Sequence, residues 1–275
     1  MTSHYFSNDL VEMHYYRFGT GPKSMFCFHG YGMHGRQFKV LEETMGDHYT
    51  FYGFDLFFHK KTKLTDQSVE AVKRGISKGQ LADLFKDFCK DAGVDRFSII
   101  AYSMGSHYAT SLVEEMPEYL EELFIAAPSS LKPGKILTFL SGNRIGNKVL
   151  ERMALSDTSM SRLLFVLKKI KIIDQKGYDI LFKEVGTPEL RFSFYASASF
   201  MRFLTLNAEK FIANLNQYQI RSVFIFGERD RNYPPAIGKA IIPKIKLARQ
   251  LVINENHDMI NLNFAQALSR IIHDH

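Results

Sequence analysis

Short apolar runs alternate with stretches of helical period along the chain. The run Val11–Phe18 ends at Gly19-Thr20-Gly21-Pro22, and the runs at 24–28 and 49–56 have the continuous apolar character of strands buried on both faces. Further strands are predicted at 97–101, 123–127, 221–226 and 249–253. Leu81, Leu84, Phe85 and Phe88 fall at i, i+3, i+4 and i+7, the period of an amphipathic helix, which stops at Ala92-Gly93. Ala109, Leu112, Val113 and Met116 repeat that period up to Pro117. Pro234-Pro235 opens another predicted helix, and Phe264, Leu268 and Ile271 mark a last one.

Strands alternating with helices imply an α/β domain, a mostly parallel sheet covered on both faces. Residues 131–200 break the rhythm: they hold helical stretches such as 162–170 and no buried strand. They are read as an insertion into a core formed by 1–130 and 201–275. The length of 275 residues suffices for one such domain with its insertion.

Composition adds less than distribution. Hydrophobic residues at 45% and charged residues at 23% describe an ordinary folded protein, with 24 Phe and 13 Tyr supplying core volume. Residues 131–200 contain 12 Lys and Arg against 6 Asp and Glu, so the net charge of +6 resides there and the remainder is balanced. A nucleic-acid partner would need a recognisable module or a dense basic stripe, and neither is present. The first nine residues lack the basic start and apolar stretch of a signal peptide, no run reaches the ~18 residues of a membrane span, and Cys27 and Cys89 are too few for a disulfide framework. The expectation is a cytoplasmic protein with two buried free thiols and no stable membrane insertion.

The most informative pentapeptide is Ala101-Tyr102-Ser103-Met104-Gly105, placed between a predicted strand and a periodic helix. Small residues two before and two after a serine permit a sharp strand-to-helix turn that leaves its hydroxyl exposed. By itself the pattern also fits a serine capping the next helix. The helix start places the Met104 N–H and a favourable dipole near the point where an oxyanion would form.

From His29-Gly30 through this turn to His257, nearly its whole length, the chain resembles the α/β-hydrolase superfamily, with Ala101 standing where the family usually has glycine. The resemblance implies a mostly parallel eight-stranded sheet with helices on both faces and a helical lid, here 131–200, inserted after the sixth strand. It implies Ser103 as nucleophile and His257, in the loop before the last helix, as base. His107, four residues past Ser103, is the rival, read as a packing or solvent-facing residue. The base needs a carboxylate to orient it. The resemblance assigns Asp230, with Glu228 as its neighbour and competitor. The alternative family position after the sixth strand holds Ala127-Pro128-Ser129, without an acid. The amides of Tyr31 and Met104 are the implied oxyanion donors, with His29, Gly30 and Gly105 shaping the two turns.

One departure is larger. After Asp55, where many relatives have a glycine-rich turn, the chain reads Leu56-Phe57-Phe58-His59-Lys60-Lys61. In the insertion, Leu163, Leu164, Phe165, Val166, Phe192, Phe194 and Tyr195 are read as packing the lid onto the core or, more sharply, some of them as lining an acyl pocket. On the sharper reading Lys168, Lys169 and Lys171 attract an anionic substrate. The implied activity is hydrolysis of a carboxylic ester or thioester through an acyl-enzyme, with no metal or organic cofactor. Carbon–carbon bond hydrolysis or a lyase reaction by the same residues, or a non-catalytic ligand receptor on the same fold, are the alternatives. Dehalogenase and epoxide-hydrolase relatives use an Asp nucleophile, against which Ser103 argues.

Overall fold

The computed structural model of the protein describes residues 1–156, 158–171, 174, 175, 178, 179, 182 and 185–273. The strands are β1 (Thr2–Ser7), β2 (Val11–Phe18), β3 (Lys23–Phe28), β4 (Tyr49–Phe54), β5 (Lys63–Leu64), β6 (Phe97–Tyr102), β7 (Leu120–Ala126), β8 (Arg221–Gly227) and β9 (Ala248–Ile253). Eight of them form one open sheet in the order β1-β2-β4-β3-β6-β7-β8-β9, and the two-residue β5 pairs with β2. Pairing is parallel from β4 to β9 and antiparallel at β1, β2 and β5. This is the mostly parallel sheet that the sequence implied.

The helices are α1 (Glu42–Met45), α2 (Val69–Arg74), α3 (Lys78–Ala92), α4 (Ser106–Glu115), α5 (Lys135–Gly142), α6 (Arg144–Leu155), α7 (Ser159–Lys169), α8 (Pro188–Phe200), α9 (Ala208–Gln217) and α10 (Leu262–His273). Two compact units result. The first comprises 1–66, 77–133 and 204–275, and holds the sheet; the second comprises 67–76 and 134–203, and holds α2 and α5–α8.

In the first unit, alternate residues of β3 face opposite layers. Phe26 and Phe28 meet Phe54, Phe85 and Phe88 on the α3 side, while Met25 and Cys27 join Phe38, Leu41, Met45 and Phe264 on the other. Burial on both faces is why the strand reads as an unbroken apolar run. Helix α3 starts on a capping box, Ser77 with Gln80, and ends at Gly93 in the left-handed region (φ 64°). Cys27 and Cys89 are buried free thiols, and burial pushes Cys89 up to about 12. At the amino-terminal edge of the sheet, Glu122 accepts hydrogen bonds from Tyr49 Oη (2.6 Å), Ser98 Oγ (3.2 Å) and Arg221.

One expectation changes, and one strand lay outside the sequence reading. Instead of a helix after Pro234-Pro235 there are two short 3₁₀ turns, Pro235–Gly238 and Ile242–Lys244. Pro243 lacks the N–H that a continuing helix would require and clashes with the preceding turn. Strand β1 escaped the sequence because only Phe6 of its six residues is buried, leaving no apolar alternation to read.

In the second unit, α6 lays Leu150 and Ala154 inward, and Asn147 is held by Ser199 (2.9 Å) and Tyr195 (3.2 Å) of α8. Lys73 of α2 pairs with Glu151 of α6 at 2.9 Å. Leu164 and Tyr195 are buried, whereas Leu163, Phe165 and Val166 are exposed.

Candidate active site

Strand β6 delivers Ser103 into a single 3₁₀ turn, Ser103–Gly105, which runs straight into α4. Ser103 has φ +49°, a strained conformation for a residue with a side chain. Two close approaches hold it there. A Cβ on Gly105 would lie 2.1 Å from the Phe28 carbonyl oxygen, and one on Gly30 would lie 2.7 Å from the Tyr102 ring. The end of β3 and the turn after β6 are thus in backbone contact, which only glycine permits. The Ser103 carbonyl is further pinned by two hydroxyl donors, Ser106 Oγ at 2.6 Å and Ser129 Oγ at 2.8 Å. Ser129, in the turn after β7, thereby braces the turn at Ser103.

Three distant parts of the chain then converge. His257, in the loop between β9 and α10, places Nε2 at 3.4 Å from Ser103 Oγ, and its Nδ1–H donates to Asp230 Oδ2 at 2.8 Å. Asp230 is 2% exposed. Its other oxygen accepts the amides of Asn232 (2.9 Å) and Tyr233 (3.1 Å), so the carboxylate is fully engaged and cannot rotate away. Glu228 is exposed on the same turn. The imidazole lies between the rings of Tyr102 and Tyr233, each with its centroid 5.4 Å away, and its side chain is 34% exposed. The rival His107 donates instead to the Leu204 carbonyl at 3.0 Å, and burial lowers its pKa.

The loop after β3 carries the second expected donor, Tyr31. Its neighbours are set by two histidines. Leu56 N–H donates to His29 Nε2 at 3.0 Å, so His29 Nδ1–H donates to the Gly30 carbonyl at 2.6 Å. Gly32 N–H donates to His59 Nε2 at 3.1 Å, so His59 Nδ1–H donates to the Phe57 carbonyl at 2.9 Å. Burial, reinforced by mutual proximity, holds His29 well below the ordinary histidine value; burial likewise lowers His59, with Lys60 adding to it. Both are therefore neutral, and each accepts an amide that a protonated ring could not. The run after Asp55, unlike a glycine-rich turn in sequence, adopts the geometry of one: Phe58 (φ 62°) and Lys60 (φ 51°) are left-handed. The role of His59 was invisible in sequence because its partner, the Gly32 amide, is 27 residues away and carries no side-chain signal.

A second Ser-His-Asp line shows that hydrogen bonding alone does not define such a site. Ser3 Oγ lies 2.7 Å from His14 Nε2, and His14 Nδ1 lies 2.7 Å from Asp55 Oδ2. These contacts are shorter than those of Ser103, yet Ser3 sits within the regular edge strand β1, outside the residues of positive φ. Asp55 Oδ1 also accepts the Gly35 amide at 2.8 Å, so this line fastens β1, β2 and the loop after β3 together. Among the described residues there is no cluster of three or more His, Cys, Asp or Glu that could hold a metal ion.

No protein-family model and no curated protein matches the chain. Solved structures do. A hydrolase from Pseudomonas aeruginosa PA01 superposes with a TM-score of 0.70 at 15% identity, covering 99% of this chain and 97% of that one. A thermophilic esterase from Thermogutta terrifontis gives 0.69 at 14% identity, covering 96% and 92%. The thioesterase domain from the curacin biosynthetic pathway gives 0.66 at 14% identity, covering 99% of each chain. At such identities the likeness speaks for the fold alone. The chain has the fold of the α/β-hydrolase superfamily.

Proposed function

We propose that the protein is a serine hydrolase that cleaves a carboxylic ester or thioester through an acyl-enzyme on Ser103. The observation that carries this reading is the line from the strained Ser103 through His257 to the buried Asp230. His257 Nε2 takes the proton as Ser103 Oγ attacks the carbonyl carbon, and the imidazolium formed is stabilised by Asp230, which stays ionised. The amides of Tyr31 and Met104 are the donors proposed for the oxyanion. Collapse of the tetrahedral intermediate breaks the bond to the leaving alcohol or thiol, which receives the proton from His257. A water molecule, deprotonated by the same nitrogen, then attacks the acyl-enzyme and regenerates Ser103. The Oγ–Nε2 separation is 3.4 Å, and catalytic hydrogen bonds of this kind tighten when a substrate is bound.

Thioester and ester share this chemistry, and the structurally similar proteins include an esterase and a thioesterase domain. The test is labelling by a fluorophosphonate probe, followed by a panel of aryl esters and acyl thioesters. Wild type is expected to label stoichiometrically and Ser103→Ala not at all. A folded wild type that remains unlabelled would identify a ligand receptor instead. Labelling without turnover of any ester or thioester would shift the reading to carbon–carbon bond cleavage.

A further inference from the structure

The second unit carries apolar side chains that its own packing leaves outside. In α6, Ile145, Lys148, Val149, Arg152 and Leu155 are all exposed, Ile145 at 81%. At 100° per residue they occupy an arc of about 120°. The opposite arc is satisfied within the unit: Leu150 and Ala154 are buried, and Asn147 and Glu151 are bonded to Ser199, Tyr195 and Lys73. The outer arc is thus not needed to hold α6 in place. Helix α7 repeats the pattern, with Leu164 inside and Leu163, Phe165, Val166, Lys169 and Ile170 outside. In α5, Phe139 is 71% exposed.

Charge says what such a surface suits. Residues 135–169 contain seven Lys and Arg against two Asp and Glu. Of the two acids, Glu151 is turned to the inner arc and paired with Lys73, and Asp157 lies outside the described residues. Protein–protein interfaces deplete lysine, whereas helices lying on a membrane place Lys and Arg beside apolar residues. No helix among the described residues is long and apolar enough to cross a membrane, so such helices would lie along the surface.

We propose that the outer faces of α6 and α7 dock on an anionic lipid bilayer. Apolar side chains such as Ile145 and Phe165 enter the headgroup boundary while Lys148, Arg152 and Lys169 meet lipid phosphates.

The experiment is cosedimentation of the full chain with vesicles of phosphatidylcholine alone or with about 30% phosphatidylglycerol. Wild type is expected to pellet with the anionic vesicles, at least about tenfold more tightly than with neutral ones, and to be released as ionic strength rises. The variant I145D/F165D should lose binding to both. The variant K148E/R152E/K169E should lose the preference for anionic lipid by about tenfold or more. These positions are exposed, so thermal midpoints should match wild type. Failure of wild type to pellet at low salt would overturn the proposal, as would equal pelleting with both lipids or unaltered binding by the variants. A concentration-dependent dimer that I145D/F165D abolishes, without vesicle binding, would overturn it too and make the face a contact between copies of the chain.

Discussion

The phenol of Tyr102 donates a 2.6 Å hydrogen bond to the main-chain carbonyl of His257, 155 residues away. The residue just before Ser103 therefore holds the loop that carries the imidazole, so the strained turn and the His257 ring are positioned by one contact. Met259 N–H accompanies it at 3.0 Å on the same carbonyl.

Tyr102→Phe keeps the ring packing against His257 and deletes only that bond. A net loss of about 1 kcal/mol in stability is expected, with the Met259 bond left in place. The larger effect should fall on kcat, lowered about three- to tenfold with KM little changed, because the imidazole becomes less well placed. Steady-state kinetics on any ester the protein turns over, beside a thermal melt, reads both.

Asp230→Asn should leave the fold intact while reversing the hydrogen-bond preference at His257 Nδ1. The ring then favours the tautomer in which Nε2 carries the proton and cannot accept one from Ser103. A loss in kcat of roughly four orders of magnitude is expected, with fluorophosphonate labelling slowed in parallel. Activity within tenfold of wild type would remove Asp230 from the role assigned to it.

His59→Phe preserves a ring against Tyr31 and His29 but removes the acceptor for the Gly32 amide. An orphaned, partly buried amide costs about 1–3 kcal/mol. The expected outcome is a lower thermal midpoint and a reduced kcat, with the labelling stoichiometry at Ser103 retained.

His29, His59 and His107 are all held below the ordinary histidine value, near 6.5, with burial the main cause. The folded protein binds fewer protons at these rings than the unfolded chain does. Their contribution to stability is complete above about pH 6.5 and is lost as the pH falls from there through the depressed folded values. Glu122 adds a second loss at lower pH. Burial alone would raise it, but the bonds from Tyr49 and Arg221 leave it below the usual carboxylate range, so its contribution persists until the pH falls through that lowered value. Urea midpoints measured from about pH 7.5 downward should fall first near the histidine range. A flat profile between about pH 7.5 and 5.5 would show that the rings do not titrate as described.

Lys60 is exposed and left-handed, a conformation that costs a side-chain-bearing residue roughly 1–2 kcal/mol. Lys60→Gly relieves that cost and gives back about 0.5–1 kcal/mol in unfolded-chain entropy, so a small net stabilisation, up to about 1 kcal/mol, is expected. Lys61→Gly, next door at ordinary φ, should destabilise instead. Paired thermal melts distinguish the two.

The sequence alone determined the features that depend on neighbours along the chain. The apolar runs placed β3, β4 and β6 because strands buried on both faces need continuous hydrophobicity. Small residues around Ser103 announced the sharp turn because nothing larger than glycine fits at 105 against the Phe28 carbonyl. Resemblance then pointed to His257 and Asp230, which the structure brings into one hydrogen-bonded line with Ser103. Tertiary structure alone decided what depends on convergence between distant segments: that Ser129 and Ser106 grip the Ser103 carbonyl, that His59 accepts the Gly32 amide, and that Tyr102 ties down His257. It also decided which apolar residues of the insertion are covered. Leu164 and Phe165 are adjacent and equally hydrophobic in sequence, and one is buried while the other is exposed, because a helix turns them toward different surroundings. Hydrophobicity along a chain fixes periodicity; only packing fixes which side of the period meets a partner.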